Sequence, residues 1–447
     1  MKKNYWYILL IAFFISAVSF VVINYKQKKD IKLSASFPLL TRKDSTSKDE
    51  WLSAKKNTDK LLAKIKANPR DTTAALALAN AYIMEARING NISYYDNAAM
   101  KQVENVLAIA PGNYEALLLK SLLQLSQHHF AEGLATARIA ESINTNNAFV
   151  HGLLVDAHVE MGNYEDAVDA ADKMVSARPD LRSYSRISYL REIHGDYPGA
   201  INAMELAVQA GLPGEEGTEW CRAQLGRLYE HTGNVSLATD QYQLSLAARP
   251  SYAYALAGMA RLSTFKKQHD SAVYYLEQAQ KASHDADIQQ SLATAYLNAA
   301  QTDKATALTK EVIAQMNINT NSTDEDPTLG HYSDKELAYA YLQQNNYEKA
   351  LAHALAEYNR RPKNIEINET MAWVYYQKGD FGKALPYVEE ALKTHSMNPK
   401  LLCSAGLIYA KTGNAKKAKT MLGLGLRQHP VIDADLQKES ELVLKNL

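Results

Sequence analysis

On size alone, the 447-residue chain is long enough for roughly two to four compact domains. Its 49 basic and 49 acidic residues balance at a pI near 7.2, so no global field exists to hold it on nucleic acid or an anionic surface. A nucleic-acid partner is excluded from the expectations on that ground.

In chain order, Lys2 and Lys3 precede an uncharged apolar run from Tyr5 to Val22, interrupted only by Ser16 and Ser19 and followed by Tyr25, Lys26, Lys28 and Lys29. About 20 residues cross the hydrocarbon core, and Tyr5, Trp6, Tyr7 and Tyr25 stand where aromatic belts lie, so residues 1–25 are expected to form an N-terminal transmembrane helix. The alternative is export followed by signal cleavage near Ser19, because Ala17 and Ser19 have the small-residue spacing of a cleavage site. The apolar run continues through Phe20, Val21, Val22 and Ile23, which favours the anchor. No cysteine follows at a lipidation site. Lysines flank both ends, but a short basic tail before the first apolar run usually starts an exported segment, which puts the remainder on the periplasmic or extracytoplasmic side of a bacterial-type envelope. Residues 26–47 are polar and basic, with Pro38 and the cluster Asp44 to Ser47, and read as a flexible tether.

A helical pattern from Lys48 to Ala67, stopped by Asn68 and Pro69, reads as a capping helix. Beyond it a frame recurs, clearest in Leu225, Gly226, Tyr229, Gly233, Ala238, Tyr242 and Pro250. It returns in Leu337, Ala338, Tyr341, Tyr347, Ala350 and Pro362, and again in Met371, Ala372, Tyr375, Gly379, Phe381 and Ala384. This grammar, with its period of about 34 residues, resembles the tetratricopeptide repeat, a helix-turn-helix unit. The resemblance implies an all-α, right-handed superhelical solenoid of about ten repeats, each burying its core against its neighbours, so that the domain-size prior does not apply.

Repeat starts are expected near Thr72, Tyr114, Ala148, Leu181, Glu219, Ala253, Ala286, His331, Ile365 and Pro399, and a second capping helix from Asp433 to Leu447. Ala167, Ala200, Ala238, Ala272, Ala305, Ala350, Ala384 and Ala418 fall where the two helices of a unit cross and only a small side chain fits. Gly162, Gly195, Gly233, Gly379 and Gly413 fall in the turns, and Pro179, Pro250, Pro362 and Pro430 stop second helices. Three departures stand out. About eight extra residues around Ile88 to Tyr95 are assigned to a longer turn in the first repeat. Gly211, Pro213, Gly214 and Gly217 lengthen the link before the fifth. Residues 317–330 carry Asp324, Glu325, Asp326 and Pro327 among Asn and Thr, an acidic polar loop that divides a block at 48–316 from one at 331–447.

No phosphate-binding glycine loop, zinc-hydrolase helix, Cys-x-x-Cys or nucleophile elbow occurs, so no enzyme activity, cofactor or metal is expected. His151 and His158 share a helix face, but His158 takes the frame's Tyr position and reads as core. His128 and His129 fall in a turn and are expected to be solvated, as is the run Asp324 to Asp326, which lacks the ligand alternation of a calcium loop. Cys221 and Cys403 lie about five repeats apart, and repeats that meet only their neighbours do not bring them within disulfide reach.

The resemblance also implies a concave binding surface at the second, fifth, sixth, ninth, twelfth and thirteenth positions of the first helices. Repeats four to six place Arg182, Arg186, Tyr189, Trp220, Arg227, Tyr254, Arg261 and Phe265 there, with Ser185, Ala223 and Ala257 leaving room at the fifth position. Arginine pairs with carboxylates and large aromatics give rigid contact area, so a protein or peptide ligand with acidic or C-terminal carboxylate groups is the expected partner. A small anionic or carbohydrate-like ligand in the same groove is the alternative. A competing reading keeps the aromatics for packing and pairs the arginines with Glu192, Glu219 or Glu230. The family's carboxylate clamp for chaperone tails is absent, since Asn80 stands with Leu76 and Lys335 with Tyr339 at the positions concerned.

Overall fold

Helices alternate with short turns from Lys48 onward because the apolar positions recur at helical spacing and Asn or Asp precedes many of them. The structure, a computed structural model, describes residues 14, 37–42, 48–325, 330–427 and 432–447, side chains of 321–325 excepted. The chain divides into two units, Met1–Leu40 and Thr41–Leu447. Of the first, Phe14 and residues 37–40 are described, and the rest of the expected membrane segment Tyr5 to Val22 lies outside the described residues. No described helix is long and apolar enough to cross a membrane.

The second unit is all-α, with 22 helices among the described residues. Lys48–Ala67 precedes a series of helix pairs, and Ala434–Asn446 follows it. Pairs one to five begin at Thr72, Tyr114, Ala148, Leu181 and Glu216, and pairs six to ten at Ala253, Ala286, Asp334, Ile365 and Pro399. Two starts differ from expectation, Glu216 for Glu219 and Asp334 for His331. Each helix packs on its chain neighbours. The crossing alanines Ala167, Ala200, Ala238, Ala272, Ala305, Ala350, Ala384 and Ala418 are all at most 2% exposed, which fixes the register. Asp71, Asn113, Asn147, Asp180, Asp285, Asn364 and Asn398 accept first-turn amides and so start their helices.

Two expected loops are helical in part. The extra residues of pair one lengthen both helices, Thr72–Asn89 and Ile92–Ile109, and leave only a short turn at Gly90 and Asn91. Helix Thr302–Glu325 runs into the 317–330 segment, because Asn and Thr are only weakly unfavourable in a helix and no breaker comes before Pro327.

The largest departure is long-range. Repeats do not meet only their neighbours: the turn inside pair one packs on the turn before pair seven, and pairs two, three and four meet the turns before eight, nine and ten in the same way. The His284 amide donates to the Asn89 carbonyl at 2.9 Å. His128 Nδ1 lies 2.8 Å from the Tyr332 carbonyl. The Asn364 amide group donates to the carbonyls of Val159 and Glu160 at 3.3 and 3.1 Å, and the Ile365 N–H to the Tyr164 hydroxyl at 2.9 Å. Successive superhelical turns therefore touch along a seam. This corrects the solvated reading of His128 and His129: His129 is buried, and His128 stacks on Phe130 and lies against the tilted ring of His331, some 200 residues ahead. Cys221 and Cys403 are nonetheless free and buried.

At Gly162 glycine is required twice over, whereas His128 holds the corresponding positive φ, 62°, in the seam turn of pair two. Gly162 has φ 75°, and a Cβ there would come 2.3 Å from the Lys363 carbonyl oxygen, whereas Gly413, at φ 84°, has nothing within 4 Å. Both Gly162→Ala and Gly413→Ala incur the left-handed backbone cost of about 1–2 kcal/mol. Gly162→Ala must in addition displace the seam, so its urea midpoint is expected to fall further than that of Gly413→Ala. Equal midpoints would remove the seam as a source of stability.

Candidate functional site: a luminal chamber

Because the turns are stacked, the concave surface is a lumen rather than an open groove. A cavity of about 790 Å³ lies in it, walled mainly by the first helices of pairs one to seven. Seven of the eight residues singled out in the sequence line it: Arg182, Arg186, Tyr189, Trp220, Arg227, Tyr254 and Arg261. Phe265 does not. It ends its helix at the turn and is 43% exposed.

Within the wall most charges are already matched. Arg227 Nη2 lies 2.8 Å from Glu192, and Arg261 Nε 2.9 Å from Glu230, the pairing that the competing sequence reading allowed. Burial opposes the Arg261 charge, but Glu230 and the Tyr242 hydroxyl outweigh it and hold the pKa above the usual arginine value. Arg186 Nη2 binds Asp156 at 2.5 Å, and Arg87 Nε binds Glu216 at 2.8 Å across 129 residues of sequence. The Tyr254 hydroxyl donates to Asp285 at 3.0 Å and that of Tyr189 to Glu366 at 3.0 Å.

Arg182 is the exception. Its guanidinium has no carboxylate partner among the described residues and lies over the Phe149 ring, 5.5 Å from the centroid. Arg182 is solvent-exposed in the chamber wall, and partial desolvation there and the neighbouring Arg186 lower its pKa, with Asp180 opposing and Arg87 and Arg178 adding to them. A cation held among cations over an aromatic face favours an incoming anion. On the opposite account, Asp96 lines the same chamber at 2% exposure; burial pushes its carboxyl up to about 7, and its Oδ2 has no hydrogen-bond partner among the described residues.

A second cavity of about 160 Å³ shares Tyr189, Glu192 and Arg227 with the first and extends the lumen to pairs eight to ten. There Lys335 Nζ lies 2.9 Å from Glu366 and holds that carboxyl down to about 2, while burial pushes Glu369 up to about 7. His151 and His158 are buried; His151 Nε2 lies 2.9 Å from the Thr145 carbonyl, and no metal-binding group of acids, histidines and cysteines occurs among the described residues.

The tetratricopeptide repeat family's model matches residues 153–215 and 370–418, which fall in pairs three, four, nine and ten. Those segments are similar to tetratricopeptide repeats. Comparison with curated proteins returns no match. Among solved structures, the chain is similar to the APC/C hetero-tetramer Cut9–Hcn1, at 15% identity and a TM-score of 0.45, over 88% of this chain and 61% of that one. A thermophilic tetratricopeptide protein of Thermus thermophilus matches at 18% identity and a TM-score of 0.33, over 41% of this chain and 90% of its own. PilW, a type IV pilus biogenesis factor, matches at 15% identity and a TM-score of 0.36, over 46% and 94%. The chain thus spans about three fifths of the Cut9–Hcn1 chain that it matches.

Sequence reasoning missed Arg87, Asp96, Asp156, Glu216, Asp285 and Glu366 as site residues. The tetratricopeptide frame, extended to pairs one, seven and nine, would have offered some of them as concave positions, but nothing in it gives the pitch that gathers them around one lumen.

Proposed function

We propose that this chain is a non-enzymatic binding scaffold whose luminal chamber takes a short peptide segment, carboxylate group first. The supporting observation is Arg182, a guanidinium in the chamber wall with no acid bound to it among the described residues. Trp220, Tyr189 and Tyr254 supply flat contact area around it. Arg227 and Arg261 are not the recognition groups, because their charges are spent on Glu192 and Glu230, and reversing them would leave those buried acids unpaired. A second reading, a small anionic ligand, draws support from the cavity itself, since about 790 Å³ lies in the range of small-molecule sites. The membrane anchor at Tyr5 to Val22, the extracytoplasmic placement and the tether at 26–47 are part of the proposal, and fractionation with protease protection of intact cells tests them.

Calorimetry with short peptides bearing free C-terminal carboxylates, against the same peptides amidated, tests the site. The free-acid peptides are expected to bind and the amidated ones not. Arg182→Ala should weaken the former by about 10- to 100-fold, the worth of a hydrogen bond to a charged group. Binding that survives both changes refutes the assignment, and saturable binding of a small aromatic carboxylate in place of the peptides selects the second reading.

A further inference from the structure

Inside the chain, one edge of the superhelix is stacked on the other through a repeating contact. Its clearest instance joins pairs three and nine. Asn364 uses its side-chain oxygen to cap the amides of Glu366 and Ile367, at 2.9 and 3.1 Å, and gives its amide group to the Val159 and Glu160 carbonyls beside Gly162. Glycine is needed opposite because the Lys363 backbone lies against it.

Two edges of the same two kinds have no covering turn among the described residues. On one, Gly379 and Gly413 hold the positive φ of Gly162, at 82° and 84°, with nothing within 4 Å of a built Cβ. Clefts of about 550 and 670 Å³ open there, at Asn345 to Lys378 and at Gly379 to Thr412, where pairs one to four carry a docked turn. On the other, Asn113 and Asn147 stand before their helices as Asn364 does. Each caps through its side-chain oxygen, to Ala116 N at 2.9 Å and Phe149 N at 2.8 Å, and neither side-chain amide donates to any described group. Exposed charges without an ion pair stand on both edges among the described residues: Lys266, Lys267, Lys411 and Lys416 outnumber Asp270 and Asp303 on the first, while Glu115 and Glu215 on the second stand beside Arg70 and Arg182.

We propose that a second copy of this chain docks its Asn113–Asn147 edge on the Gly379–Gly413 edge of the first, repeating between chains the contact that joins turns within one. The interface is heterologous. Each added copy leaves one edge of each kind free, so the assembly grows head to tail rather than closing at two. The surplus of unpaired lysines on the first edge can meet Glu115 and Glu215 of the second, which makes the contact salt-sensitive.

Sedimentation velocity of the full chain in a mild detergent tests this. Average mass is expected to climb beyond that of a dimer with concentration and to fall with added salt. Lys411→Glu with Lys416→Glu, and separately Glu115→Lys with Glu215→Lys, alter exposed side chains; each pair should weaken self-association by roughly tenfold or more with circular dichroism unchanged. Mixing the two variants should restore growth beyond two copies, since the intact edges pair and the two reversed edges again carry opposite charge. A monomer at every concentration, a dimer that stops at two copies, or association indifferent to both variants would overturn the proposal.

Discussion

Arg361→Met is expected to lower the stability of the chain by about 3–5 kcal/mol, the cost of breaking a buried ion pair from one side. Arg361 is 2% exposed, the largest fully buried side chain among the described residues, and it reaches across the seam: its guanidinium binds Glu357 on its own helix and Glu160 some 200 residues earlier, and lies over the Phe130 ring. Burial opposes its charge, but Glu160 and Glu357 outweigh burial and hold its pKa above the usual value, while burial pushes Glu160 itself up to about 7 against the pull of Arg361, so the full loss is expected above pH 7. Removing the cation leaves Glu160 facing the seam without it, while Glu357 keeps Arg360. Replacing the whole cross-seam pair, Arg361→Met with Glu160→Met, should recover much of the loss, because well-packed apolar groups tolerate such a site better than one lone charge. Arg191→Met is the control. Arg191 and Asp196 pair at 2.8 Å with about half of each side chain exposed, and such a surface pair contributes about 0–1 kcal/mol. Hydrogen exchange separates a seam effect from a local one: in Arg361→Met, amides near Val159 to Asn163 should exchange faster together with those near Arg361 to Ile365. Acceleration confined to the second segment would mean that the seam does not couple the turns.

The sequence and the structure part company at the same seam. Much of what contacts within a helix pair set is legible: eight crossing alanines lie buried where the frame puts them, and eight of ten helix starts fall on the expected residue, although the extra residues of pair one are helical rather than a turn. Local chemistry carries that information, since a small residue at a crossing and a cap before a helix leave marks at fixed spacing. Pitch does not. Whether Gly162 meets Lys363 depends on small rotations accumulated over six pairs, and no single residue type encodes the sum. The candidate site shows the same division. Seven of the eight chosen residues do line one chamber, because concave positions follow from the frame. Which of the arginines is available did not follow from it. Arg186 is taken by Asp156, 30 residues back, and Arg87 by Glu216, 129 residues ahead, and only Arg182 is left.

Acid should loosen this seam through His128 and His331. Their rings lie 4.1 Å apart between the stacked turns. His128 faces the Tyr332 carbonyl, Phe130, Arg360, Arg361 and Lys335; His331 faces His129, Glu336 and the Ser126 backbone. Burial, with Arg361 and Lys335 acting on His128 and His128 acting on His331, lowers both to about 3. The ordinary histidine value is about 6.5, so the closed seam binds fewer protons than the opened or unfolded chain. Its stability is therefore complete above pH 6.5 and is lost as pH falls from there toward 3, at up to about 1.4 kcal/mol per pH unit for each ring. Buried carboxyls act the other way. Asp96 and Glu369, pushed up to about 7, take up protons in the folded chain and add stability over the same range. The wild-type profile is the difference of the two, and the double variant His128→Gln/His331→Gln isolates the histidine part. Relative to that variant, the wild type should lose up to about 4 kcal/mol between pH 7.5 and pH 5 in urea titrations, since two rings titrate over about 1.5 units each. A gap between the two proteins that stays constant with pH would show that the rings do not titrate with the opening of the seam.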